Sequence, residues 1–362
     1  MAYEGSVNTN MINSLSIRRF RGIEKLDISD IQRINLIAGR NNVGKSTLLE
    51  AIFLFQARTS PDIFMKLKDI RNFRAGGITG IWEPLFYQMD PEHGLSICQK
   101  EGEEEGEYTI KKDSNYLPYK VSGVSEDVLA QFRSSTKSSY SLLYQFSQGK
   151  YREKGHFCTD GDNILREATT NQPGNELHSG TPTRIIRTGN KGTEDFLIEE
   201  IGKKELSGEK KDIIQCLQEM DPSIEDIITV AQHGTVQLHI RTNGQWIPLQ
   251  YAGDGAINLL YICLAILENK GGIVLIDEIE NGLHYSMYKE LWRIIDRLTQ
   301  KANCQLFATT HSAEIIYAVQ GNIEKTDGFA FYRLDADKGE KQAFRFSYDM
   351  MGQAAEMEME VR

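Results

Sequence analysis

Short, largely apolar runs alternate with stretches of helical periodicity through much of this chain. Ile34 to Ala38, Gly272 to Ile276 and Cys304 to Thr309 are too short for helices and too continuous for half-exposed strands, so they predict strands buried on both faces. Helical patterns follow each of them: Lys45 to about Ala57, with Leu48, Leu49, Ile52, Phe53 and Phe55 for its buried side, then Ser286 to Leu298, and Ala313 to Val319. Gly255 to Leu267 adds a further helix, and Phe329 to Leu334 with Gln342 to Phe346 predicts a closing strand pair. Helices alternating with short buried strands predict an α/β fold with a largely parallel core sheet flanked by helices.

Elsewhere the period is two. Ser14 to Phe20 reads as a strand, Arg21-Gly22 as a turn and Leu26 to Ile28 as resumed extended structure, a small antiparallel edge feeding the Ile34 strand. Gly94 to Gln99 and Glu107 to Lys112 predict a hairpin across the acidic turn EGEEEGE, and hence a β subdomain. Ser134 to Gly192 is rich in Ser, Thr, Gly, Asn and Lys and predicts long loops or a mobile insert. Two helices follow, Thr193 to Lys204 and Lys210 to Met220. Three strands come next, Asp226 to Ala231, Thr235 to Arg241 and Gln245 to Leu249, with a hairpin turn at Asn243-Gly244. The expected division is an N-terminal lobe over 1–100, an insert or lid over 101–230 and a C-terminal lobe over 231–362.

Composition narrows the class. Of 362 residues 40% are hydrophobic, enough for a sizeable core. There is no run of about eighteen apolar residues, and the opening MAYEGSVNTNM lacks the parts of a secretory signal, so a cytoplasmic protein without membrane contact is expected. Five cysteines, Cys98, Cys158, Cys216, Cys263 and Cys304, stand without C-x-x-C spacing and argue against a zinc site or a disulfide framework. A net charge of −10, with acidic clusters at Glu101 to Glu107 and at Glu356, Glu358 and Glu360, disfavours nucleic acid as a partner for the chain as a whole. Basic clusters at Arg18, Arg19 and Arg21, and at Lys66, Lys68, Arg71 and Arg74, read as solvated faces, structural ion pairs or local basic surfaces.

Gly39 to Ser46 reads GRNNVGKS and satisfies G-x-x-x-x-G-K-[ST] between a strand and a helix, the setting a phosphate-binding loop requires. Glycines at its ends let backbone N–H groups close on phosphate oxygens, and the helix aims its positive end at the anion. Lys45 supplies a point charge and Ser46 a hydroxyl for Mg²⁺. Asp277 and Glu278 end the apolar run Ile273 to Ile276, where open α/β sheets place their ligands. Beside a phosphate loop, Asp277 suits Mg²⁺ held through water, and Glu278 suits orienting or deprotonating the attacking water. His311-Ser312, at the end of the next strand, suits a γ-phosphate sensor. Tyr251 to Gly255 opens a helix about twenty residues before Asp277 and suits a second phosphate contact. One nucleotide cannot readily use two such loops of one subunit.

This arrangement resembles the ABC-type ATPases, in which the signature helix of one subunit completes the site of another. The nearer likeness is to their AAA15/OLD-like branch, relatives of the RecF and SMC heads. It rests on IRRFRGI, GRNNVGKST, the degenerate signature AGDGAINLL, the LIDEIENGLH run and ATTHS; residues from about 100 to 230 fall outside it. The resemblance implies an ABC-type ATPase head with an antiparallel β subdomain and an inserted α/β or loop-rich region. ATP and Mg²⁺ are the implied ligands, with Gly39, Asn41, Asn42, Gly44, Lys45, Ser46 and Thr47 on the nucleotide and Ser46 and Asp277 on the metal. Glu278 is then the catalytic base, Asn281 to His284 the D-loop and His311 the switch histidine. Arg21 is implied to touch nucleotide, Gln88 in LFYQMD to be the metal-contacting Q-loop glutamine, and Gly253, Asp254 and Gly255 to reach a partner's nucleotide. Ala252 departs from the usual signature serine and Tyr285 from the frequent D-loop proline.

The resemblance further implies a homo-oligomer, at least a head-to-head dimer. It would act as sensor or scaffold of a bacterial antiphage, abortive-infection system of the PARIS-like two-gene kind, controlling a separately encoded effector, a Toprim nuclease, in response to a phage-encoded trigger. A Toprim domain within this chain is not expected, since about fifty residues follow His311, and no heptad run marks coiled-coil arms. The rival expectation is a RecF-like DNA-binding repair or replication ATPase, against which the charge of −10 weighs.

Overall fold

The structure, a computed structural model, describes residues 11–71, 79–116, 141–160, 163–171, 180–187, 193–232, 234–324, 328–337 and 340–356. Arg74, Glu358, Glu360 and parts of the Ser134 to Gly192 stretch lie outside the described residues.

The chain opens with a hairpin of β1 (Ile12–Phe20) and β2 (Ile23–Ile28), after which β3 (Ile34–Gly39) runs through the phosphate loop into α1 (Lys45–Gln56). Helices α2 (Ile63–Ile70) and α3 (Thr79–Trp82) precede β4 (Leu95–Glu101), β5 (Glu104–Asp113), β6 (Ser141–Gln148), β7 (Tyr151–Asp160) and β8 (Asn163–Thr170). Then come β9 (Thr183–Arg187), α4 (Thr193–Ser207), α5 (Lys211–Met220) and the strands β10 (Ile224–Gln232), β11 (Thr235–Thr242) and β12 (Gln245–Pro248). The chain continues through α6 (Asp254–Leu267), β13 (Ile273–Asp277), α7 (Tyr288–Ala302), β14 (Gln305–Thr309) and α8 (Ala313–Tyr317). It ends in β15 (Phe329–Asp337), β16 (Glu340–Phe346) and α9 (Tyr348–Glu356).

The core sheet has the order β16-β15-β3-β14-β13-β9, parallel throughout except for the antiparallel edge strand β16. Side chains alternate across it as the pleat demands. Ile34, Leu36, Val274, Ile276, Leu306 and Ala308 join α6 and α7 in one core cluster; Ile37, Ile273, Leu275 and Phe307 join α1 and the antiparallel sheet in another. That second sheet has the order β2-β1-β4-β5-β6-β7-β8, and β10-β11-β12 form a third, small one.

Helix α1 is wedged between the two large sheets. It is therefore buried on nearly every side, including Thr47, Glu50 and Gln56, and not on the single stripe the apolar spacing predicts. The β1–β2 hairpin pairs with β4 in the antiparallel sheet instead of edging the Ile34 strand. The acidic EGEEEGE run turns only around Gly102, which has φ +58°, while Glu104, Glu105 and Glu107 stand exposed along β5. Between them Gly106 lies against the helix, where an added Cβ would come within 2.8 Å of Phe55 Cζ. The polar stretch expected to be loops holds β6, β7, β8 and β9. Its Phe146 packs edge-on to Phe55 at 5.6 Å and its Phe157 to Phe64 at 4.8 Å, so a few aromatic anchors suffice for strands whose other face is polar. Among the described residues no helix is long and apolar enough to cross a membrane.

Candidate active site

Strand β3 ends at Gly39 with φ +140°, and an added Cβ there would lie 2.3 Å from the Leu334 carbonyl oxygen of β15. Gly44, at φ +110°, caps the start of α1, so both motif glycines occupy backbone conformations that side chains strain. Between them Arg40, Asn41 and Asn42 are exposed and leave the loop's face open. Lys45 folds back under the loop: its Nζ donates to the Gly39 oxygen at 2.7 Å and the Arg40 oxygen at 3.1 Å, and lies 3.3 Å from His311 Nδ1. Burial holds this ammonium below the ordinary lysine value, against the upward pull of Asp277, Glu280 and Glu278.

The ends of β13 and β14 meet the loop from the neighbouring strands. Asp277 is buried, and its Oδ1 accepts from Ser46 Oγ at 2.9 Å and from Thr309 Oγ1 at 2.7 Å. Thr309 Oγ1 in turn accepts the Glu278 N–H at 2.9 Å, and Glu278 has φ +56°, a strained setting for a non-glycine residue. Its half-exposed carboxylate stands 3.8 Å from His311 Nε2, while the His311 N–H donates to Glu280 Oε1 at 2.6 Å. Arg187, at the end of β9, places Nε 3.9 Å from Asp277 Oδ2 and donates through Nη1 to the Ile70 oxygen at 2.6 Å. In the sequence Thr309 appeared only as the end of a strand and within ATTHS, with no role assigned, and Arg187 lay in the stretch expected to be loops; the pairing of β14 and β9 with β13 brings both to the site.

Among the described residues no group of three or more His, Cys, Asp or Glu side chains forms a metal cage. One buried carboxylate joined to one hydroxyl, Asp277 with Ser46, fits a magnesium ion whose other ligands are waters and phosphate oxygens. The glycine-opened loop above Lys45 fits the polyphosphate itself.

Arg21, at φ +51°, is committed to α1: its Nε lies 2.8 Å from Glu50 Oε2. Arg71 reaches the same buried carboxylate at 2.5 Å and Thr47 Oγ1 at 3.2 Å. Burial lowers Arg21 below the ordinary arginine value, Glu50 opposes that and Arg71 adds to it. Gln88 is exposed in a turn at φ +55°, and no described hydrogen bond joins it to Ser46 or Asp277. The signature segment also stands apart from the Lys45 cluster. Tyr251 is 81% exposed, Gly253 at φ +87° faces open space, and Asn258 Nδ2 ties α6 to the Asn281 oxygen at 2.9 Å. Thus Lys45, Ser46, Asp277, Glu278 and His311 converge, while Gln88 and Gly253 to Gly255 lie outside that cluster.

The sheet order is that of the ABC-type ATPase head fold. The fold matches the SMC head bound to the C-winged helix domain of ScpA, with a TM-score of 0.51 at 12% identity, covering 94% of this chain and 99% of that one. It also matches an Smc head domain with an extended coiled coil, bound to the C-terminal domain of ScpA derived from Pyrococcus furiosus, with a TM-score of 0.50, 12% identity and coverage of 96% and 98%. By sequence the chain belongs to the family described as AAA domain, putative AbiEii toxin, type IV TA system, whose model matches residues 34–316. It is 25% identical over 339 residues to the ATP/GTP phosphatase of Helicobacter pylori, covering 88% of this chain and 90% of that protein. The Septu protein PtuA of Bacillus thuringiensis is 23% identical over 330 residues, with coverage of 86% and 74%.

Proposed function

We propose that this chain hydrolyses ATP to ADP and phosphate, pairs head to head with a second copy, and so controls a separately encoded effector in bacterial antiphage defence. The observation that carries the catalytic part is the relay Ser46–Asp277–Thr309–Glu278, which joins the phosphate loop to two strand ends through one carboxylate oxygen. Lys45 is already stripped of water and directed by two carbonyls, so exchanging them for phosphate oxygens costs little reorganisation. Magnesium, when bound at Ser46 and Asp277, supplies neutralising charge. Glu278, its backbone fixed by Thr309 and its carboxylate near His311, takes the proton of the attacking water, and His311 orients toward the terminal phosphate.

The phosphatase relative supports nucleotide hydrolysis, and the Septu relative together with the AbiEii description supports the defence role. Exposed Tyr251 and open Gly253 support a partner's approach at the signature face. A Toprim nuclease is our choice of effector. DNA clamping is less supported, because Arg18, Arg21 and Arg71 are spent on Asp27 and Glu50.

The test is Glu278→Gln with ATP and Mg²⁺, followed by turnover and native mass, alone and co-expressed with the product of the adjacent gene. Turnover should fall by about two orders of magnitude or more, with ATP retained and a stable dimer that carries the effector. Unchanged turnover, or normal ATP binding by Lys45→Ala, would refute the catalytic assignment. Salt-sensitive retention of DNA by the ATP-bound dimer, without the neighbour, would favour the RecF-like reading instead.

A further inference from the structure

Strand β16 lies at the edge of the core sheet, and Lys341, opposite Ala336 of β15, points from it toward the phosphate loop. A Cβ added at Gly44 would lie 3.3 Å from Lys341 Nζ, and one added at Gly22 would lie 3.5 Å from it. The ammonium thus stands between the β1–β2 turn and Gly44, the residue that caps the start of α1. Among the described residues it has no carboxylate partner, and burial alone pushes it below the ordinary lysine value. Arg33, Arg21 and Arg71, by contrast, are matched: Arg33 with Asp296, and Arg21 and Arg71 with Glu50. A cation partly withdrawn from water without a counter-charge is unfavourable unless a ligand brings the anion.

We propose that Lys341 is a second polyphosphate-binding cation, contacting the nucleotide's phosphates from the side of Gly22 and Gly44 while Lys45 contacts them from the side of His311. The proposal rests on the nucleotide-binding reading above. No described hydrogen bond joins Lys341 to Lys45 or His311, and the proposal assigns it to phosphates common to ATP and ADP, away from the bond that breaks. It is therefore an affinity residue.

Dissociation constants for Mg-ATP and Mg-ADP by calorimetry on wild type, Lys341→Met, Lys341→Arg and Lys45→Ala test this, alongside melting of each protein without nucleotide. Lys341→Met should weaken both nucleotides by about tenfold or more, the size of a lost charge-assisted hydrogen bond. Its nucleotide-free melting temperature should stay equal or rise, because a partly buried charge without a carboxylate partner has been removed, and Lys341→Arg should recover most of the affinity. Equal affinity of wild type and Lys341→Met for both nucleotides overturns the proposal, and so does loss confined to ATP. If Lys45→Ala loses ATP while Lys341→Met does not, only this inference falls. If wild type itself fails to bind, the nucleotide reading falls with it.

Discussion

Thr309 does two things with one hydroxyl, donating to Asp277 and accepting from the Glu278 N–H. Thr309→Val keeps the shape and leaves a buried carboxylate oxygen and a buried N–H each short of a partner, a loss of about 1–3 kcal/mol. Chemical denaturation should show that loss, and turnover should fall with it because Glu278 is no longer pinned. Glu50 is a stronger case. Two guanidiniums converge on its buried carboxylate, so Glu50→Leu strands both and should cost about 3–5 kcal/mol by the same measurement. Lys45, Ser46, Asp277, Glu278 and His311 were legible because each sits in a local pattern, a glycine-rich turn or a strand end. Thr309, Glu50, Arg187 and Lys341 were not, because only the tertiary fold brings each to its partners. Arg187 and Ile70, for instance, are 117 positions apart.

At the scale of elements, the antiparallel sheet owes its inner face to a tyrosine and phenylalanine cluster around one buried acid. Burial pushes the Glu153 carboxyl up, but donation from Tyr151 and Tyr144 and the Arg166 guanidinium outweigh it and leave it below the ordinary glutamate value. A carboxyl lowered on folding stabilises above its unfolded pKa, and that contribution drains away as pH falls through the folded value. Wild type should therefore lose stability on acidification below about pH 4.5, the unperturbed value, more steeply than Glu153→Gln. Urea midpoints of the two proteins across that range measure the difference. Most of the parallel sheet and its helices were readable because strands buried on both faces leave short, largely apolar runs. Strands β6 to β8 were not, because β7 alternates buried and exposed positions, β8 is mostly polar, and the buried run of β6 is short and flanked by polar sequence. In β9, TRIIR carries no local mark of belonging beside β13; pairing alone makes it part of the core.

For the whole molecule, the two large sheets are joined through α1 and through the return of the chain along β9, so the antiparallel lobe and the Asp277 strand are mechanically continuous. Strand β3 has a different kind of dependence. Its six residues are all buried, and both of its sheet neighbours, β14 and β15, are encoded more than 260 positions later. A ribosome therefore releases the phosphate loop long before it releases anything that can hold that loop in shape. A fragment ending at residue 302 should be insoluble and bind no ATP, as pelleting and nucleotide retention on a filter would show; a soluble, ATP-binding fragment would contradict the sheet order. During synthesis, then, a half-made copy is silent, and a premature stop or a nick that removes β14 and β15 switches the molecule off at its source.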